Sequence, residues 1–137
     1  MIILDTNVLS AAMASDAIVV AWLDRQSSSS MWTTAVTVFE VRSGLMAMPT
    51  GRRRAGRELA FDNIIENDLE GRVLPFDRSA AEEAARLIAD RRRIGRPGET
   101  RDTMIAGIAL AQRATLATRN VRHFDDLNVP IVDPWRG

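Results

Sequence analysis

The chain of 137 residues contains no cysteine. Disulfides, thiolate metal sites and cysteine nucleophiles are therefore excluded. Lysine is also absent, so apart from one histidine every basic side chain is arginine. That rules out Schiff-base chemistry and the phosphate-binding lysine of P-loops. It also argues against a receiver-type phosphorylation domain, which sets acids at strand ends but normally uses a lysine. The single histidine, His123, cannot build a multi-histidine zinc site within one chain. Any metal is thereby directed toward hard oxygen ligands, the preference of Mg²⁺ or Mn²⁺. The formal net charge is zero, so nucleic-acid binding requires a local basic patch. No stretch approaches the roughly 20 apolar residues of a membrane span. The amino terminus has no basic region before its short apolar run, and an acid interrupts that run. It is not read as a signal peptide, and the expected location is the cytoplasm.

What is present is organised around the opening MIILDTNVLS. Ile2, Ile3 and Leu4 form a short apolar run of the kind found in a strand buried on both faces of a parallel sheet. Asp5 follows at the carboxyl end of that strand, where open α/β sheets place their ligand sites. With Thr6 and Asn7 it can also cap a helix through side-chain oxygens. A plain cap and a carboxylate presented for metal chemistry are both open from this stretch alone.

The remaining chain alternates strand and helix. Val8 to Met13 reads as a short helix, and Ser15-Asp16 starts a second one carrying Ile18, Val19, Trp22 and Leu23. Met31–Thr34 is a strand, with Thr33 or Thr34 capping a helix through Val36, Val41, Leu45 and Met46. Glu40 lies on or beside the face of that helix that should be buried. A buried carboxylate is costly unless it is paired or binds metal; the plainer alternative is an ion pair with an arginine. Arg42 points away from Glu40, toward phosphate or solvent, and Gly44 is expected to permit close helix packing. After Pro49-Thr50-Gly51, the run Arg52-Arg53-Arg54 with Arg57 could touch RNA phosphates but reads better as a solvated face or a dimer rim. Arg72–Phe76 is a third strand. Asp77 and Ser79 cap a long helix whose late Arg91–Arg93 suit its dipole and are assigned to surface stability. Arg96–Arg101 is a loop. Asp102 then opens a helix that is apolar almost all round, with small residues at Ala106, Gly107 and Ala109 for close packing. Thr100 competes with Asp102 for the cap; if Thr100 caps, Asp102 is free. Ala114–Thr118 is a fourth strand ending in Thr118-Arg119-Asn120, an echo of Asp5-Thr6-Asn7. His123–Asp126 forms a helical turn, and Val129–Val132 is the last strand.

This order predicts one α/β domain over residues 1–137, a parallel sheet of about five strands with helices on both faces. If the first and fourth strands are neighbours at a switch in strand order, Asp5, Asp102 and the Thr118–Asn120 segment meet in one crevice, and Glu40 reaches it from the second strand's helix. Carboxylates packed that closely repel one another unless a cation is present. A divalent ion polarises a phosphoryl oxygen and lowers the pKa of bound water.

Four ordered motifs carry a resemblance: ILDTNVLS with Asp5, TTAVTVFEVRSG with Glu40, RDTMIAGIAL with Asp102, and LATRNVRHF with Thr118 and Asn120. Together with the terminal VPIVDPW they cover essentially the whole chain. The sequence resembles the PIN-domain nucleases, and within them the VapC-type toxins of type II toxin–antitoxin systems, in the FitB-like branch. The resemblance implies a three-layer α/β/α fold and a Mg²⁺-dependent endoribonuclease, with Mn²⁺ able to substitute. It also implies a homodimer, a small cognate antitoxin that blocks the site, and contact with DNA only through that antitoxin.

The pattern departs at Asn120, where a fourth acid is expected. An amide can hold a water or one coordination position but supplies no charge. One metal held by Asp5 and Asp102, with Glu40 direct or through water and Asn120 assisting, is the expected centre. Thr6, Asn7 and Thr118 are placed on the substrate side of that centre, Thr6 and Thr118 as groups that orient carboxylates or bound water. Arg119 and Arg122 are the expected phosphate contacts. His123, a lone histidine next to Phe124, is read as structural. Two other functions compete: a scaffold that only binds RNA or protein, and a phosphatase-like Asp5 nucleophile. The latter lacks the second acid two residues on.

Overall fold

The computed structural model describes residues 1–137. The first strand, β1 (Ile2–Leu4), leads into α1 (Thr6–Met13) and α2 (Ala17–Asp24). Next come β2 (Met31–Thr34), α3 (Ala35–Ala47) and α4 (Arg52–Asn63), the last extended by a π-helical turn at Ile64–Asp68. Then follow β3 (Val73–Leu74), α5 (Arg78–Arg93), α6 (Thr100–Gln112), β4 (Thr115–Ala117) and β5 (Ile131–Val132). The strands form one five-stranded sheet in the order β3-β2-β1-β4-β5, every pair parallel. From β1 the chain runs outward to β2 and β3, then crosses back to β4 and β5. The strand order therefore reverses between β1 and β4, which pair through Ile2–Thr115, Ile3–Leu116 and Leu4–Ala117. The carboxyl ends of β1 and β4, and with them Asp5 and Thr118, stand side by side at the switch point where such sheets hold ligands.

Two cores follow from the alternation of side chains along each strand. On one face Ile3, Leu116 and Leu74 pack with Ala80 and Leu87 of α5 and Ile105, Ala106, Ile108 and Ala109 of α6. On the other, Leu4, Met31 and Ala117 pack with Val8 and Leu9 of α1, Val19 and Trp22 of α2, Val41 and Leu45 of α3 and Phe61 of α4. Both faces of the central strands are covered, which is why β1 reads as an unbroken apolar run. The result is the three-layer α/β/α arrangement expected. No single helix is long and apolar enough to cross a membrane.

Gly107 is where α5 and α6 approach each other. A Cβ added there would lie 2.4 Å from the Ala80 carbonyl oxygen and 2.8 Å from the Ala84 Cβ. Both obstacles are fixed parts of α5 and cannot rotate aside. Gly107→Ala should therefore destabilise the protein by about 1–3 kcal/mol through overpacking, although alanine is the better helix former. A melting temperature equal to that of the parent would contradict this.

Several expectations are corrected. Gly44 is exposed, and no atom lies within 4 Å of a Cβ placed on it, so it is not a packing glycine within the chain. Arg42 is partly open to solvent, and it also pairs with Asp62 and lies over the Phe61 ring, 4.7 Å from its centre. The arginine run does not precede a helix but forms the first turn of α4; Arg54 bonds Glu58 at 2.6 Å, while Arg52 and Arg53 remain exposed. Asp77 alone caps α5, through the Ala80 amide. The edge strands are shorter than expected. At β5, Pro130 has no N–H to donate and offers only its carbonyl, which accepts from the Leu116 amide at 2.9 Å. The turn expected at His123–Asp126 is present, closed by the Leu127 amide on the Phe124 carbonyl at 3.1 Å, and a 3-10 turn over Val121–His123 precedes it. Arg91 is the largest miss. It is buried rather than on the surface.

Candidate active site

Asp5 is both a cap and a presented acid. Its Oδ1 accepts the Thr6 amide at 2.8 Å, while Oδ2 accepts the Thr118 hydroxyl at 2.7 Å. Asn7 reaches the same Oδ2 through Nδ2 at 3.4 Å and donates to Thr118 Oγ1 at 3.2 Å. Its Oδ1 accepts the Arg119 amide at 3.1 Å, tying the end of β4 to the start of α1. Asp5 is only 3% exposed. Burial pushes its carboxyl up to about 6, against the hydrogen bonds from Thr118 and Thr6, and the charges of Asp102 and Glu40 add to the rise. The charges of Asp102 and Glu40 thus both reach Asp5.

Glu40 arrives from the second turn of α3. The Thr6 hydroxyl donates to its Oε1 at 2.8 Å and lies 3.1 Å from Thr37 Oγ1, so Glu40 and Asp5 share one residue as their support. Its other oxygen is 3.8 Å from Arg101 Nε, a loose pairing that leaves the carboxylate accessible. Asp102 sits in the first turn of α6. Neither Thr100 nor Asp102 caps that helix: Glu99 does, accepting the amides of Arg101 and Asp102 at 3.3 and 3.2 Å. The Asp102 side chain is thereby free for other contacts, and its Oδ2 lies 2.8 Å from His123 Nδ1.

The residues expected on the substrate side separate into two groups. Thr118 is fully buried and touches Asp5, and Thr6 touches Glu40, so both orient carboxylates. Asn7 buttresses the same pair. Asn120 is exposed, and its side chain makes no hydrogen bond to the three acids; its amide donates to Thr118 Oγ1 at 3.1 Å. It lines a cleft of about 520 Å³ with Arg119, Arg122, His123, Asp133 and Arg136. The Arg119 guanidinium is held over the Trp135 ring at 4.7 Å. A second cleft of about 230 Å³, on the Asp102 side of Arg122 and His123, is floored by the loop Arg96–Glu99.

The donors around Asp5 are all hard oxygens, which suits Mg²⁺ or Mn²⁺. No three acids or imidazoles converge closely enough to enclose an ion by themselves. Water and phosphate oxygens would have to complete any shell, which is the usual way Mg²⁺ is held.

The sequence missed two features of the site. Arg101, expected in a loop, lies in the first turn of α6 beside Glu40. His123, expected to be structural, is half-exposed and touches Asp102. The signal was its neighbour: Phe124 is wholly buried, and in a tight turn an anchored residue can leave the one before it outside.

The PIN domain family model matches residues 2–129. The chain belongs to the PIN domain family. This PIN domain is 39% identical to a VapC ribonuclease, Y4jK, of Sinorhizobium fredii, over 98% of both chains. Among solved structures it matches FitAB bound to a DNA fragment, with a TM-score of 0.88 and 31% identity over 98% of this chain and 96% of that one. A member of the VapBC family of toxin–antitoxin systems from Mycobacterium tuberculosis matches with a TM-score of 0.72 and 29% identity over 96% of each. The fold and the family expected from the motifs are thus those found.

Proposed function

We propose that this PIN domain is a Mg²⁺-dependent endoribonuclease that acts as the toxin of a toxin–antitoxin pair in the cytoplasm. The observation that carries the reading is Asp5: a buried carboxylate, hydrogen-bonded into place, at a strand-order switch and under the charge of two further acids. Burial and the two neighbouring charges make that anion costly, and a cation beside it would offset the cost. Asp5 and Asp102 would hold the ion, Glu40 would contact it directly or through water, and Asn120 would assist. When bound, the ion supplies Lewis acidity at the phosphate and a lowered pKa for the attacking water.

The chain's own residues do the rest. Thr118 and Thr6 fix the carboxylate rotamers, so no reorganisation is needed when substrate arrives. Arg119 and Arg122 line the adjoining cleft and would bind phosphates of the RNA strand, giving an otherwise neutral chain its local basic patch. Attack at phosphorus would leave 5′-phosphate and 3′-hydroxyl ends. Phe39 and Met46 of α3 and Leu59 of α4 are large, apolar and exposed. They are the kind of surface that a second copy in a homodimer, or a cognate antitoxin, would cover. DNA contact would come through that antitoxin.

The test is an RNA cleavage assay with purified protein. Cleavage should require Mg²⁺ or Mn²⁺, stop with a chelator and return when the ion is restored. RNA binding without cleavage at any metal concentration would instead assign the chain to a binding scaffold, the reading that Asn120 in place of an acid favours.

A further inference from the structure

His123 stands on a turn that is pinned from beneath. Arg91, at the end of α5, donates from Nε and NH2 to the two oxygens of Asp126, both at 2.8 Å, and NH2 also donates to the His123 carbonyl at 2.8 Å. Arg96 donates to the carbonyl of Arg122 at 2.6 Å. The His123 amide closes the turn onto the Asn120 carbonyl at 2.9 Å, and Phe124 is buried beneath it. Gly98 lets the loop close on this clamp, since a Cβ there would meet the Arg91 guanidinium at 2.6 Å. Consecutive carbonyls, of Arg122 and His123, are thus gripped by arginines. So many bonds on an exposed turn fix where the imidazole ring goes.

The ring goes to Asp102. A carboxylate has no proton to give, so Nδ1 is the donor in the 2.8 Å contact with Asp102 Oδ2. That bond occupies Oδ2, while Oδ1 makes no hydrogen bond and remains for other use. Without the ring, Asp102 would have no partner to select its rotamer.

We propose that His123 is a positioning residue for the cation site: it fixes Asp102 with one oxygen spent and one presented, and Arg91 holds it in place to do so. The inference rests on the reading of Asp5 and Asp102 as metal ligands. Groups that orient a metal ligand in this way typically change metal affinity by about 10–100-fold. The arrangement also explains the buried arginine, whose partners all lie in the turn that carries His123.

The test is Mn²⁺ binding to the full-length protein without RNA, followed by electron paramagnetic resonance, for the parent, His123→Ala and His123→Asn. Asparagine places an N–H close to where Nδ1 stands, so it can restore the bond while losing the rest of the ring. His123→Ala should weaken Mn²⁺ binding by about tenfold or more, and His123→Asn should recover most of the loss. Melting temperatures should stay close to that of the parent, because the side chain is 55% exposed. In cleavage assays saturated with Mn²⁺, His123→Ala should regain much of the activity it loses at limiting Mn²⁺. Equal Mn²⁺ affinity in the parent and His123→Ala would overturn the positioning role alone, as would His123→Asn behaving no better than His123→Ala. A parent that binds no Mn²⁺ would overturn the metal site itself, and this role with it.

Discussion

Asp5→Asn should abolish RNA cleavage, and with it toxicity in cells, while leaving the protein folded. The replacement has nearly the same shape. Its side-chain oxygen can still accept the Thr6 amide or the Thr118 hydroxyl, so the start of α1 remains capped. What disappears is a negative charge in the middle of the site. Removing one preorganised electrostatic group from an active site typically costs about a hundredfold to a thousandfold in rate. Here the lost group would also be a metal ligand, so the upper end of that range is expected. Comparing product formation on a single RNA, with parent and variant at the same Mg²⁺ concentration, measures it. Cleavage within a few-fold of the parent would remove Asp5 from the chemistry.

The same substitution should raise stability in the absence of metal. In the folded chain the Asp5 carboxyl is displaced from 3.8 to about 6, mainly by burial. The folded state therefore binds a proton more tightly than the unfolded chain does. The contribution of Asp5 to the stability of the metal-free parent should fall as pH rises from about 4 to about 6, by about 3 kcal/mol. Asparagine does not titrate, so the variant should lack that slope and melt higher than the parent at neutral pH. Loss of activity accompanied by a gain in stability is the signature of a charge kept for function rather than for folding.

What could be read from the sequence divides along a physical line. Periodicity and capping depend on neighbours in the chain. Hence Ile2–Leu4 could be recognised as a two-faced strand, Asp16 and Asp77 as caps, and α6 as a helix buried all round. Glu40 and Asp102 stand out in the sequence because each is an acid set against an apolar pattern, a conflict of the kind expected at functional positions. The Arg91–Asp126 pair could not be found in this way. It joins residues 35 apart, and Arg91 begins a run of three arginines at a helix end, where surface charge is the ordinary reading. Nothing local distinguishes the one that turns inward. Glu99 is inconspicuous for a related reason: a glutamate is a less common cap than the threonine beside it. Gly44 and Gly107 look alike in sequence, as glycines among helix residues, and only the position of α5 separates them.

Arg91→Met tests the inward-turned arginine most severely. Methionine keeps an apolar stem but removes every donor. Asp126, whose side chain is 20% exposed, would lose its bidentate partner, and the His123 carbonyl would lose a donor as well. Removing one member of a buried pair costs about 3–5 kcal/mol when the other is left fully enclosed. Partial access of water to Asp126 moves the expectation to about 3 kcal/mol. The pH dependence tells loss of the pair from loss of packing. The Arg91 guanidinium, through its hydrogen bonds and its charge, holds the Asp126 carboxyl below the ordinary range, against the opposing effect of burial. A carboxyl depressed on folding contributes stability above its unfolded value, and that contribution fades as pH falls through the folded one. The parent should therefore lose this increment in acid, below about pH 4, the ordinary carboxylate range. Arg91→Met, lacking it at neutral pH, should show a smaller further loss there. If both proteins weaken in parallel from neutral pH to acid, the ion pair is not what Arg91 contributes, and the clamp under His123 would have to be explained by packing alone.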